Sequence, residues 1–128
     1  MKSLILLLSV ALSVCSLPTY AEIESLSQAI NESGRLRMLS QRMAKAYLLK
    51  AMDVQPTKAN KQYNASLNKF EQNLVDLKTF SQALPTSTAV EVSLGIIEKE
   101  WSAYKTELSK PNSKETASSI LALSDRTL

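Results

Sequence analysis

Apolar residues recur every third or fourth position along four stretches of the chain, separated by prolines and polar residues. The first stretch runs from about Ile23 to Val54. The second carries Tyr63, Leu67, Phe70, Leu74, Leu77 and Leu84, and the third Val90, Leu94, Ile97, Trp101, Tyr104 and Leu108. The fourth carries Ala117, Ile120, Leu121, Ser124 and Leu128. This spacing marks one face of an α-helix, and Pro56, Pro85 and Pro111 mark the connections. Short links make consecutive helices antiparallel, and a sustained spacing near 3.5 favours left-handed packing. The pattern predicts an all-α, antiparallel up-and-down four-helix bundle with Phe70, Trp101 and Tyr104 in its core. The fourth helix, about 25 Å against about 48 Å for the first at 1.5 Å per residue, is short or truncated. It stops mid-stripe, with no Gly or Pro. Either the chain is cut short or a partner covers the exposed part of the first helix.

The first helix has two apolar faces. At 100° per residue, Leu36, Leu39, Met43 and Tyr47 cluster on one side. Ile23, Leu26, Ile30, Ala44 and Leu48 cluster roughly a third of a turn away. One face serves the chain's own bundle; the other needs a second surface, most simply a twofold copy of itself. Ile30, Arg37, Ala44 and Leu48 are the candidate dimer interface.

Arg37 stands out on that second stripe. Steps of seven read Ile23, Ile30, Arg37, Ala44, Ala51, and a stripe built only for packing would carry Leu. Burying an unpaired cation costs several kcal/mol, so the position calls for an anion. The neighbours three and four residues away, Ser33, Gly34, Ser40 and Gln41, are small or polar. They leave room and hydrogen-bonding groups around a guanidinium. Gly34 costs about 1 kcal/mol against Ala inside a helix, which suggests close approach of a backbone or ligand. Arg35 has its own partners upstream in Asn31 and Glu32, whereas Arg42 has no acid within a turn. Two Arg37 side chains meeting across a twofold axis repel by about 1 kcal/mol at 4 Å in water. A small planar oxyanion between them replaces repulsion with charge-assisted, bidentate contacts and makes dimer geometry depend on the ligand.

The N-terminus and the composition narrow the setting. Lys2, the apolar run Leu4 to Val14 and the small-residue end at Ala21 have the layout of a cleavable secretory signal peptide. The expected domains are therefore a signal peptide over 1–21 and a helical bundle over 22–128, delivered to the periplasm. Lipid attachment at Cys15 is the alternative, although Val14 is a poor residue to precede it. Cys15 is the sole cysteine and there is no histidine, which removes disulfides, thiol chemistry and most zinc sites from the bundle. Two glycines make no phosphate loop, and the carboxylates do not converge. No catalytic residue, metal ligand or cofactor is expected, and a net charge of +3, or +2 without Lys2, does not point to nucleic acid.

The stretch Asn31 to Tyr47 resembles the signature of the type IV pilus methyl-accepting chemotaxis transducer N-terminal domain, the PilJ/NarX-like sensor family. Here it contains Gly34-Arg35-Leu36-Arg37-Met38-Leu39-Ser40-Gln41-Arg42. The resemblance implies a periplasmic four-helix bundle with this element on its first helix. In the most similar nitrate and nitrite sensor kinases an arginine of the motif binds the anion at a dimer interface. By motif position that arginine is Arg37, preceded by Gly34, with Arg42 as the second basic residue. The implied ligand-binding set is Arg37, Gly34, Ser33, Ser40, Gln41 and Arg42; the implied partners are nitrate or nitrite, a second copy and a membrane receptor. Two function classes follow: an anion-sensing module, or a structural bundle whose arginines contact acidic groups of a partner protein.

Overall fold

A computed structural model describes residues 23–84 and 88–126. Within them lie α1 (Leu26–Ala51), α2 (Pro56–Gln82), α3 (Thr88–Leu108) and α4 (Lys114–Arg126), and no strand. The expected signal peptide with Cys15, Pro85 and the end of the fourth stripe at Leu128 lie outside the described residues. Successive helices run antiparallel. No described helix is long and apolar enough to cross a membrane.

Local signals set the helix ends. Ser25 is extended and its hydroxyl accepts a hydrogen bond from the Gln28 N–H at 3.2 Å. The Gln28 side-chain oxygen in turn accepts from the Glu24 N–H, a near relative of the capping box. At the far end the Met52 N–H donates to the Leu48 carbonyl, and Asp53 and Gln55 take left-handed φ values of 54° and 46°. Pro56 then opens α2, where its fixed φ suits the first turn and its missing N–H leaves no unsatisfied donor. Ser113 caps α4 by accepting from the Thr116 N–H at 3.0 Å.

Leu36, Leu39, Met43 and Tyr47 are the inner face of α1, as the stripe predicts. They meet Phe70, Leu74 and Leu77 of α2, Leu94, Trp101, Tyr104 and Leu108 of α3, and Ile120 of α4 in one core. Phe70 stacks on Trp101 at 4.1 Å between ring centroids, and Tyr104 meets the same indole edge-on at 6.0 Å. Burial of side chains this large is the main stabilising contribution.

The described part of α4, Lys114–Arg126, lies along one half of α1. α4 packs on α1 and α3, and its level is fixed by three polar contacts. The Tyr47 hydroxyl lies within hydrogen-bonding distance of the Lys110 and Pro111 carbonyls, 3.2 and 3.1 Å away. The Ser40 hydroxyl is 3.1 Å from the Ser124 carbonyl, and Arg126 pairs with Glu100 at 3.0 Å. Along α1, therefore, α4 covers the turns from Tyr47 back to Ser40. From Arg37 to Leu26 nothing described lies in the space between α1 and α3.

Candidate functional site

The motif residues occupy the middle of α1, and its helical twist distributes them over several faces. Arg37 projects from the first turn that α4 no longer covers. Together with Ser33 and Gly34 of α1 and Ser93, Ile96 and Ile97 of α3 it lines a cleft of about 480 Å³. It is the one charged residue on that lining, and no described side chain pairs with it. Within one chain Arg37 is exposed, and no described element packs over it. α4, described to Arg126, packs on α1 from Ser40 onward, above this turn. Gly34 likewise faces open space, since a Cβ built on it meets nothing within 4 Å.

The other candidates separate. Ser40 is fully buried; its hydroxyl lies 2.9 Å from the Arg37 carbonyl as well as 3.1 Å from that of Ser124, and its own carbonyl accepts from the Tyr104 phenol at 2.8 Å. It ties three helices together and presents no free group to the cleft. Gln41 belongs to a neighbouring hollow beside α4, with Lys45, Leu48 and Leu121. Arg42 is exposed toward the α2 side, its guanidinium 3.7 Å from the Met38 sulfur. Five residues at 100° each place it about 140° around the helix from Arg37. Of the candidate dimer residues, Ile30 is 62 % exposed and Arg37 is exposed, Leu48 is half-buried, and Ala44, at 2 %, lies under the chain's own α4.

Arg35 behaves as its neighbours suggest, pairing with Glu32 at 2.9 Å. The second Glu32 oxygen accepts from the Asn73 amide at 2.8 Å, and Asn73 is 1 % exposed. This link pins the motif segment of α1 to α2. Sequence reasoning missed it, as it missed Ser93, Ile96 and Ile97, because each depends on how distant segments pair. An asparagine on an otherwise apolar α2 face was the available signal for the first.

Burial pushes the Tyr104 phenol well above its ordinary value of 10.0 and raises Tyr47 and Tyr63 for the same reason. All three are neutral at neutral pH, and Tyr47 and Tyr104 donate from their hydroxyls. Among the described residues no His, Cys, Asp or Glu cluster can hold a metal ion.

The described residues form an all-helical bundle with the polar motif on its first helix. The family model for the type IV pili methyl-accepting chemotaxis transducer N-terminal domain, PilJ, matches residues 19–126, and the chain belongs to that family. Domains of this family are sensory rather than catalytic, and they are typically periplasmic parts of membrane receptors. No curated protein and no solved structure matches the chain.

Proposed function

We propose that this domain, carried to the periplasm by residues 1–21, is a sensing module that binds a small oxyanion, nitrate or nitrite by resemblance, through Arg37. Two copies meet along the exposed half of α1, and the resulting dimer passes the ligand state to a membrane receptor. The observation that carries this reading is an unpaired arginine in a cleft otherwise lined by Ser33, Gly34, Ser93 and isoleucines. The interface centres on Ile30 and Arg37 with Leu48 at its edge; Ala44 lies beneath α4 and contributes only indirectly. Opposed guanidinium groups repel in the empty dimer, and an oxyanion bridging them satisfies both forks.

Calorimetric titration of the chain from Glu22 onward with nitrate and nitrite tests the proposal. Binding should disappear in Arg37→Ala, weaken in Arg37→Lys for lack of the bidentate fork, and persist in Arg35→Ala, whose side chain is engaged with Glu32. Absence of any oxyanion response in the wild type, or an unchanged response in Arg37→Ala, removes Arg37 as the sensor site. The competing reading, a structural bundle that binds a partner protein, is favoured by the apolar surface beside the same cleft.

A further inference from the structure

The described helices are unevenly charged along the bundle. A level through it is marked by the Tyr104 hydroxyl donating to the Ser40 carbonyl. The end with the α1–α2 and α3–α4 turns, residues 41–67 and 104–123, holds eight cations against three acids, a net +5. The remaining described residues hold six cations against eight acids, a net −2. At the basic end every cation but Arg42 is a lysine. Lys105 and Lys110 pair with Glu71 and Glu107, and Lys50 lies 5.1 Å over the Tyr63 ring. Lys45, Lys58, Lys61 and Lys114 are exposed and have no described ion pair.

An apolar point stands among these charges. The Tyr47 hydroxyl reaches the Lys110 and Pro111 carbonyls, so the α3–α4 turn lies about level with Tyr47. α1 runs past that level to Ala51 before the chain turns into α2 at Pro56. The α1–α2 turn is thus the apex of the described bundle, about 6 Å further out. Met52 at this turn is 70 % exposed, more than any other large apolar side chain described, and Val54 is 42 % exposed. A hollow beside Val54 brings Lys45 of α1 and Lys58 of α2 to one side of the turn. Long side chains on a helix lean toward its N-terminus, so Lys58, Lys61 and Lys114 lean toward the apex.

We propose that this apex is a docking site for an anionic phospholipid surface, with Met52 and Val54 entering the headgroup region and the lysines facing lipid phosphates. Shape favours lipid over an acidic protein: the apolar pair stands on a protruding turn, and unpaired lysines of three helices surround it. That arrangement matches a plane. Residue choice agrees, because lysine is a compact, hydrated point charge, whereas bidentate pairing with a carboxylate uses arginine's fork. Lysines near an anionic leaflet each gain from its surface potential without a fixed partner. Asp53 and Glu115 are the acids here without a described ion pair, and the unpaired cations outnumber them. Ile30 and Arg37 lie toward the other end of α1, so the apex leaves the proposed dimer face free and does not rest on oxyanion binding.

The test uses the chain from Glu22 onward and vesicles of phosphatidylcholine, with or without about one-third phosphatidylglycerol. Cosedimentation should show binding only to the phosphatidylglycerol vesicles, falling steeply as salt rises past physiological strength. Lys58→Gln combined with Lys61→Gln should weaken it about tenfold or more. Met52→Ser, which keeps the charge, should also weaken it. All three positions are exposed, so unchanged helical circular dichroism should accompany the losses. Met52→Trp should show a blue shift of indole emission on the anionic vesicles beyond any seen for Trp101 in the wild type. Equal binding to neutral vesicles, or none to anionic ones at low salt, overturns the proposal. So does poly-aspartate binding as tight as vesicle binding, with Met52→Ser at full strength, which assigns the lysines to an acidic protein. A nitrate response without vesicle binding overturns the docking site alone; vesicle binding without a nitrate response overturns the oxyanion reading alone.

Discussion

Two halves of α1 carry the same kind of heptad pattern and end in different environments. From Ser40 to Tyr47 the second stripe lies beneath α4: Ala44 is covered, and beside it Ser40 and the inner-face Tyr47 direct their hydroxyls to carbonyls of other elements. From Leu26 to Arg37 the same stripe faces the open channel, and Leu26, Ile30 and Arg37 are exposed. The closed half carries the packing; the exposed residues of the open half carry little stability and remain free for recognition. Arg37, which would be costly beneath α4, lies one turn from the part of α1 that α4 covers and is exposed.

Substitutions should therefore sort by where they fall. Phe70→Ala removes a ring fully enclosed between α1 and α3. It should cost about 3–5 kcal/mol, enough to lower Tm by well over ten degrees in a domain of this size. Thermal unfolding followed by circular dichroism measures it, and a loss near 1 kcal/mol would mean that the aromatic core is looser than its packing indicates.

Asn73→Ala comes next. It deprives a largely buried carboxylate, Glu32, of one of its two partners, and should cost about 1–3 kcal/mol. A double-mutant cycle with Glu32→Gln should show coupling between the two positions. Additivity would show that α1 and α2 hold their register without this link.

The alkaline limit of stability tests the closed half from another side. Burial raises the folded-state pKa of Tyr104 above its ordinary 10.0. Its contribution is thus fully present below pH 10 and is lost as pH rises past 10 toward the folded value. With no histidine in the chain, Tm should change little between about pH 6 and 9 and fall above 10. Tyr104→Phe should lose about 1 kcal/mol at neutral pH with the hydrogen bond to Ser40, and its alkaline decline should be shallower. An equally steep decline would assign the alkaline loss to Tyr47 and Tyr63.

The smallest effects belong to the open half. Ile30→Ala and Arg37→Ala should each change stability by no more than about 0.5 kcal/mol in ligand-free buffer, as for exposed positions without partners. Arg37→Ala should leave Tm unchanged or slightly raised. A large loss at either position, measured on a monomeric sample, would mean that α1 is covered there by something within the chain.

Much of this architecture can be read from the chain alone. The inner α1 face of Leu36, Leu39, Met43 and Tyr47, the aromatic core and the four helices all follow from periodicity, because a helix must bury one face. The Arg35–Glu32 pair follows from i, i+3 geometry. Within the candidate site, Ser33, Gly34 and Arg37 share one cleft as their spacing suggests. Ser40 and Arg42 do not join them: one is recruited into a contact with α4, and the other is rotated about 140° away.

What the sequence by itself determined is the set of helices, their inner faces and the placing of an unpaired arginine among small residues, since local geometry and periodicity reach that far. What only the tertiary structure decided is which parts of α1 are covered. That depends on the level at which α4 lies against α1 and α3, set by Tyr47, Ser40 and Glu100 gripping Lys110, Ser124 and Arg126 across long stretches of chain. Contacts between residues so far apart leave no local signal. Yet they turn one continuous stripe into a buried seam above and an open channel below, with Arg37 at the boundary.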